Sequence, residues 1–480
     1  MLATLLIAVP LVTALVLWIA PLPRDWTAGL ATLAALSDVG LWVGGLRNFD
    51  FSARTLQYSA HQPWIKEIGF SYSVGFYGFQ WWLTGLAVVV GAAAVAYGAW
   101  VGRERPRTYY AMMLLLIGSL VGVFASQDLL LFYIFFEMML IPIYVLVGVW
   151  GGPGRVKATL TFVIYTMAGS LLMLASIVAL GITQGTFSLA DLGTSDNDLV
   201  FLGFMAAFAV KAPLLPFHGW LRGAYTEAPV EVGAMLSGVV SKAAVFGLIW
   251  IVLPHFPEPV KNWRDVILFL AAATLLYGSV LAFRQPDVRG VIAYSSMGQM
   301  GLILLGIFAS NDLGLDGAVL QSVNHGLVSA SFFLLAGMIE TRTGTGLLSQ
   351  LGGMAKGRAI LATLVMVVGM FTLAVPGSAN FAGEFAILSG VFFSGWGYAV
   401  AGAVAIVLGA LYALRLISAI LHEARGPKVS ETANDLVGNE LSLVVPLVLI
   451  LVALSVWPAA VSQHSFPNDA PAATVVAGGS

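Results

Sequence analysis

The sequence predicts an all-α polytopic membrane protein of about fourteen transmembrane helices. Ten of them are expected to form two inverted five-helix repeats, each holding one discontinuous helix. Three observations predict this fold class. Hydrophobic residues make up 59% of the 480 positions and charged residues only 10%, whereas soluble domains carry about 25% charged residues. Apolar stretches of about twenty residues, the length that spans a bilayer, recur along the chain. Two of these stretches are interrupted by proline or glycine beside a charged residue.

The first stretch, 2–20, has no basic segment before it and exceeds the apolar core of a signal peptide, so it reads as a retained helix. With 27–46 and 79–100 it forms an N-terminal group within residues 1–108. Stretches 109–125, 128–149, 160–181, 199–221 and 232–253 form the first repeat, over 109–253. Stretches 265–283, 288–308, 316–339, 359–394 and 397–421 form the second, over 265–421. A last helix covers 441–459, and 460–480 is expected to be a disordered polar tail. The stretch 359–394 is too long for one crossing and needs a break.

Both breaks are readable. In Lys211-Ala212-Pro213-Leu214-Leu215-Pro216 each proline lacks an amide proton and clashes with the carbonyl four residues back. Pro376-Gly377-Ser378-Ala379-Asn380 interrupts the later helix just before Glu384. Each break falls in the fourth helix of its repeat. Five is odd, so the second repeat starts from the opposite side of the membrane. Paired interruptions at matching positions point to a transport pathway.

Basic residues set the orientation. Arg24, Arg103, Arg105, Arg107, Arg155, Lys157, Arg222, Arg284, Arg289, Arg342, Lys356, Arg358, Arg425 and Lys428 occupy one set of alternate loops. The other set holds only Arg47, Arg54, Lys66, Lys261 and Arg264. By the positive-inside rule the first set is cytoplasmic and both termini face the other side.

Four ionisable residues lie inside apolar stretches: Glu137, Lys211, Lys242 and Glu384. A charge at mid-bilayer costs about 2.5–3.5 kcal/mol on insertion scales, so each is a functional candidate before it is a structural one. Glu137 is centred in its stretch, and its bland alternative is a carboxylate that pins helices together. Lys211 abuts the double-proline break, too far from a surface to snorkel. Lys242 lies mid-helix among Gly238, Ser241 and Ala243, and could instead be packing glue. Glu384 follows the second break, where it could simply meet a helix dipole. Together with the broken helices these charges imply ion or proton transport. His218 and His325 are candidate relays, since histidine titrates near neutral pH; each could equally be a satisfied core histidine.

The chain has no cysteine, which excludes disulfides, thiol chemistry and cysteine-held iron–sulfur clusters within it. Its six histidines lack metal-ligand spacing, and no basic patch interleaved with aromatics suggests nucleic acid. Any redox centre therefore belongs to another chain.

The runs LLFYIFFEMMLIPIYVLVGVWGG and KAPLLPFHGWLRGAYTEAPVEVGAMLSGVVSKAAVFGL, followed by VRGVIAYSSMGQMGLILLGI, QSVNHGLVSASFFLLAGMI and NFAGEF, cover most of residues 109–420. They resemble the antiporter-like, proton-pumping subunits of bacterial respiratory complex I (NADH–quinone oxidoreductase), within them the subunit M, or chain 4, type. The resemblance implies fourteen helices with two inverted repeats in the cell inner membrane. It also implies a coupled pair Glu137–Lys211, a connecting Lys242, an axis continuing through His325, and Glu384 as its terminal group. Glutamate at that last place favours the M type over the L and N types and the sodium/proton antiporters, which usually carry lysine. The resemblance further implies partners in the membrane arm, including L- and N-type subunits. NADH, FMN, iron–sulfur clusters and quinone would be held by other subunits, and no cofactor by this chain. One departure is Gln299, at a place where the M type often has histidine. Glutamine holds water but does not titrate. A multi-subunit cation/proton antiporter or membrane-bound hydrogenase is the alternative of the same fold. A structural scaffold with no transport role is a third reading, disfavoured by the mid-bilayer charges.

Overall fold

A computed structural model describes residues 1–466. Helices α1 (Leu2–Ile19) and α2 (Arg24–Leu46) are followed by an antiparallel hairpin of β1 (Gln57–Ile65) and β2 (Phe70–Phe76). Then come α3 (Gly78–Val101), α4 (Pro106–Ala125), α5 (Leu129–Trp150) and α6 (Arg155–Gln184). Next are α7 (Asp198–Lys211), α8 (Leu221–Glu227) and α9 (Val230–His255). The second half holds α10 (Pro257–Arg284), α11 (Val288–Ile307), α12 (Asp312–Thr343), α13 (Ala359–Thr372), α14 (Ala379–Ser394) and α15 (Trp396–Leu421). α16 (Gly438–Val456) and the single turn α17 (Ala459–Ser462) close the described chain.

Twelve helices among the described residues are long and apolar enough to cross a membrane. The pairs α7–α8 and α13–α14 each make one interrupted crossing, which brings the crossings to fourteen. The breaks fall at residues 212–220 and 373–378, where the prolines and Gly377 stand. Gly377 has φ of 91°, a left-handed conformation that glycine adopts without steric cost.

The hairpin was not foreseen; residues 57–76 read as loop. Its turn is made by Gly69, at φ 71°. β2 buries Val74 and Phe76 against the helix bundle, while most of β1 stays exposed. Two other departures concern ends. The expected tail begins with ordered structure: α17 follows α16, Phe466 stacks on Phe79, and the Phe79 amide donates to the Ser465 carbonyl at 2.9 Å. Residues 467–480 of that tail lie outside the described residues. The helix expected over 316–339 runs from Asp312 to Thr343, capped by the Asn311 side chain and by Gly344 at φ 70°.

The arginine-rich loops meet on one face. There Arg103 pairs with Glu231, Arg222 with Asp287, Arg289 with Glu340 and Arg342 with Glu440. The hairpin lies on the opposite face with both ends of the described chain: Leu2 reaches Gly45 at the end of α2, and Ser465 reaches Phe79 at the start of α3. α4 starts from the arginine-rich face. α10 starts from the other face, beside the loop in which the Ser195 amide donates to the His255 carbonyl. The two five-crossing runs are therefore oppositely directed.

The centre of the bundle is α12, enclosed by α3, α9, α11, α13, α14 and α16. Its most apolar window is 100% buried, and that of α9 is 94% buried. Close approach depends on small residues. A Cβ on Gly278 of α10 would lie 2.7 Å from the Gly298 amide nitrogen of α11. Backbone cannot rotate away, so Gly278→Ala is expected to cost about 1–3 kcal/mol. This would appear as a lower melting temperature of the detergent-solubilised protein. Unchanged melting would show that the two helices can part without loss.

Candidate functional site

The charged residues are positioned by helix irregularities. α5 is regular to Met138 and again from Leu140, with a loosened turn at Met139. Pro142 offers no amide to the Met138 carbonyl, which accounts for the loosening. Glu137 lies in that turn and is half-buried, not enclosed as its central place in the stretch suggests. Lys211 ends α7 and is 2% exposed. Its ammonium lies 4.8 Å from the centre of the Phe136 ring, a cation–π contact. Glu137 acts on Lys211 electrostatically, but the two make no ion pair within 4.0 Å. The expected pair is thus neighbouring rather than joined.

The first break satisfies its own backbone. The Trp220 indole donates to the Val210 carbonyl at 3.0 Å, and the Leu215 amide donates to Thr274 Oγ1 of α10 at 3.0 Å. His218 lies inside this break rather than on a helix. It is half-buried, edge-on to Tyr277 of α10. The break of the first half therefore rests on the first helix of the second half.

Lys242 is fully buried on α9. π-helical turns at Leu236–Val240 and Leu248–Val252 flank it; such turns are rare and cluster at functional sites. Pro254, which leaves the Trp250 carbonyl without its helical donor, accounts for the second. The Lys242 ammonium donates to the Ser237 carbonyl at 2.9 Å and to Ser241 Oγ at 3.4 Å. Ser237 Oγ in turn lies 2.5 Å from both Ser296 Oγ of α11 and Ser329 Oγ of α12. This buried hydroxyl cluster joins the two halves through Ser237, the residue that Lys242 contacts.

Beyond the serines, His325 is 4% exposed and its Nε2 has no partner among the described residues. It lines a cavity of about 20 Å³ with Ser295, Gln299, Ser329, Thr372, Asn380 and Tyr412. A second cavity of about 20 Å³ holds Ser295, Gln299, Thr372 and Tyr412 again, now with Glu384. Each has room for about one water. Glu384 is 4% exposed and sits in the second turn of α14, beyond the first turn where a helix dipole acts. It accepts from Gln299 Nε2 at 2.9 Å, and Gln299 Oε1 accepts from Gln321 Nε2 at 2.8 Å. The departure at Gln299 is thus in direct contact with the last charge.

The structure brings Lys242, His325 and Glu384 onto one buried polar axis, approaches it with Lys211, and leaves Glu137 at its outer edge. Sequence reasoning missed three buried groups. Asp38 on α2 is fully buried with neither carboxyl oxygen partnered among the described residues; it stands mid-stretch, so the argument used for the other four charges could have found it. Glu231, at the start of α9, reads as a loop acid but is fully buried. It accepts from Arg103 Nε and Nη2 at 2.7 Å each and from the Tyr109 hydroxyl. Tyr412 carries no charge and no motif, and nothing in sequence marks it. Among the described residues no three His, Asp or Glu side chains gather as a metal site.

The model of the family "NADH:quinone oxidoreductase/Mrp antiporter, TM" matches residues 126–409. NADH-quinone oxidoreductase subunit M of Rickettsia bellii is 30% identical over 439 residues, which cover 89% of each chain. A chain of respiratory complex I from Thermus thermophilus superposes with a TM-score of 0.89 at 29% identity, covering 100% of this chain and 99% of that one. A chain of the Mrp complex from Dietzia sp. superposes with a TM-score of 0.88 at 21% identity, covering 99% and 97%, and so shares the fold.

Proposed function

The chain belongs to the NADH:quinone oxidoreductase/Mrp antiporter transmembrane family, and from that membership we propose that it is the proton-translocating subunit M of a type I NADH–quinone oxidoreductase. The observation that carries this reading is the polar axis from Lys242 to Glu384, built across two oppositely directed five-crossing halves. The chain resides in the cell inner membrane with its arginine-rich face cytoplasmic and both termini outside. Residues 109–253 and 265–421 form its inverted repeats. It holds no redox centre of its own; NADH, FMN, iron–sulfur clusters and quinone belong to partner subunits.

In this mechanism electron transfer in the partners alters the charge near Glu137. That carboxyl is half-buried at mid-span, and a charge left against lipid there is costly, so a neighbouring membrane-arm subunit covers it. A carboxylate held near Lys211 stabilises the ammonium, and a carboxylate withdrawn frees its proton. The proton passes by Lys242 and His325 to Glu384. Moving one charge through 100 mV costs about 2.3 kcal/mol, within the range that a buried Coulomb interaction supplies.

The test is purification of the tagged chain from its native membrane, with mass spectrometry of what accompanies it. Flavin and iron–sulfur subunits are the expected result. Small membrane subunits alone would overturn the reading in favour of a cation/proton antiporter, the second use of this fold.

A further inference from the structure

Gln299 stands between the two small cavities of the second half. Its amide nitrogen donates to Glu384 and its oxygen accepts from Gln321. An amide offers no titratable proton: its nitrogen has no lone pair free to take one up, and its oxygen has none to give. Passage along the straight line from His325 to Glu384 is therefore closed at this residue.

The wall around Gln299 is not closed. Both cavities are lined by Ser295, Thr372 and Tyr412 as well. Tyr412, on α15, is 4% exposed. It lines both cavities beside Ser295, and its hydroxyl is in electrostatic contact with Glu384. A phenol donates and accepts at the same oxygen, which neither atom of an amide does. Each cavity has room for about one water, enough to connect His325 and Ser329 to the hydroxyl on one side and Glu384 on the other.

We propose that Tyr412, with Ser295 beside it, is the proton relay that carries the route around Gln299 to Glu384. The phenol oxygen accepts a proton from water in the His325 cavity and releases its own proton toward the Glu384 carboxylate. One proton enters and one leaves, and the tyrosine is unchanged once its O–H turns back. Tyr412 thus supplies the relay that Gln299 does not.

This inference rests on the proposed pumping function, and the experiment separates the two. Four variants of the intact complex in sealed vesicles are compared by proton-to-electron ratio: Glu384→Gln, Tyr412→Phe, Ser295→Ala, and Tyr412→Phe combined with Gln299→His. Tyr412→Phe is expected to lose the same share of pumping as Glu384→Gln. Gln299→His is expected to restore it, because an imidazole reopens the direct line. A normal ratio in Tyr412→Phe overturns the relay. A low ratio that the histidine does not restore also overturns it, since a packing role for the ring would behave so. If Tyr412→Phe does not assemble, Ser295→Ala decides: a lowered ratio supports the bypass and a normal one overturns it. A normal ratio in Glu384→Gln overturns the underlying pumping route instead.

Discussion

Lys242→Ala is expected to stop proton translocation through this subunit while the complex still assembles. Lys242 is the fully buried cation at the junction of the two halves, with its ammonium on the Ser237 carbonyl. Losing a proton carrier from a relay costs about a hundredfold or more in rate, and no other ionisable side chain lies between Lys211 and His325 on the axis described. Assembly survives because Ser241 Oγ still donates to the Ser237 carbonyl at 3.3 Å, so no carbonyl is orphaned. Lys242→Arg is expected to fail as well, since a guanidinium does not release its proton. A normal proton-to-electron ratio in either variant would remove Lys242 from the route.

Glu231→Ala is expected to have the largest effect on stability. Glu231 is fully buried and receives both nitrogens of Arg103 together with the Tyr109 hydroxyl. Removing it leaves a part-buried guanidinium and a buried phenol without their acceptor. Breaking a buried pair from one side costs about 3–5 kcal/mol, a large part of a typical domain's stability. The measurable result is loss of the subunit from the assembled complex, or a much lower melting temperature. Replacing both Arg103 and Glu231 by methionine is expected to be milder, because no charge is then stranded. Wild-type melting of Glu231→Ala would contradict the argument.

The crossings and both breaks were legible because each rests on a local signal: twenty apolar residues, or a proline inside them. The hairpin at 57–76 was not, because its strands are defined by what they pack on. β2 buries Val74 and Phe76 against the bundle, and that surface is assembled from α1, α3, α4 and α5 only once they have packed together. The same division holds for the site. Lys242 and Glu384 stand out where hydrocarbon is expected. The Ser237–Ser296–Ser329 cluster joins residues 59 and 92 positions apart, and serine is common enough that no spacing marks it. The family resemblance implies Lys211 and Glu137 as a coupled pair. That they stop short of contact depends on the Phe136 ring, which takes the ammonium instead.

The enclosure of α12 also bears on how the chain is made. In the finished fold lipid is not the solvent of its most apolar window, and its mean hydropathy of 1.4 is well below the 2.5 of α1. Gln321, Asn324, His325 and Ser329 all face protein in the finished fold. During synthesis α3, α9 and α11 are available before α12 emerges, whereas α13, α14 and α16 come later. The ribosome thus delivers a half-walled slot first and its remaining walls afterwards. In that interval α12 is shielded on one side only, so biogenesis of the second half depends on the first half having already been laid down.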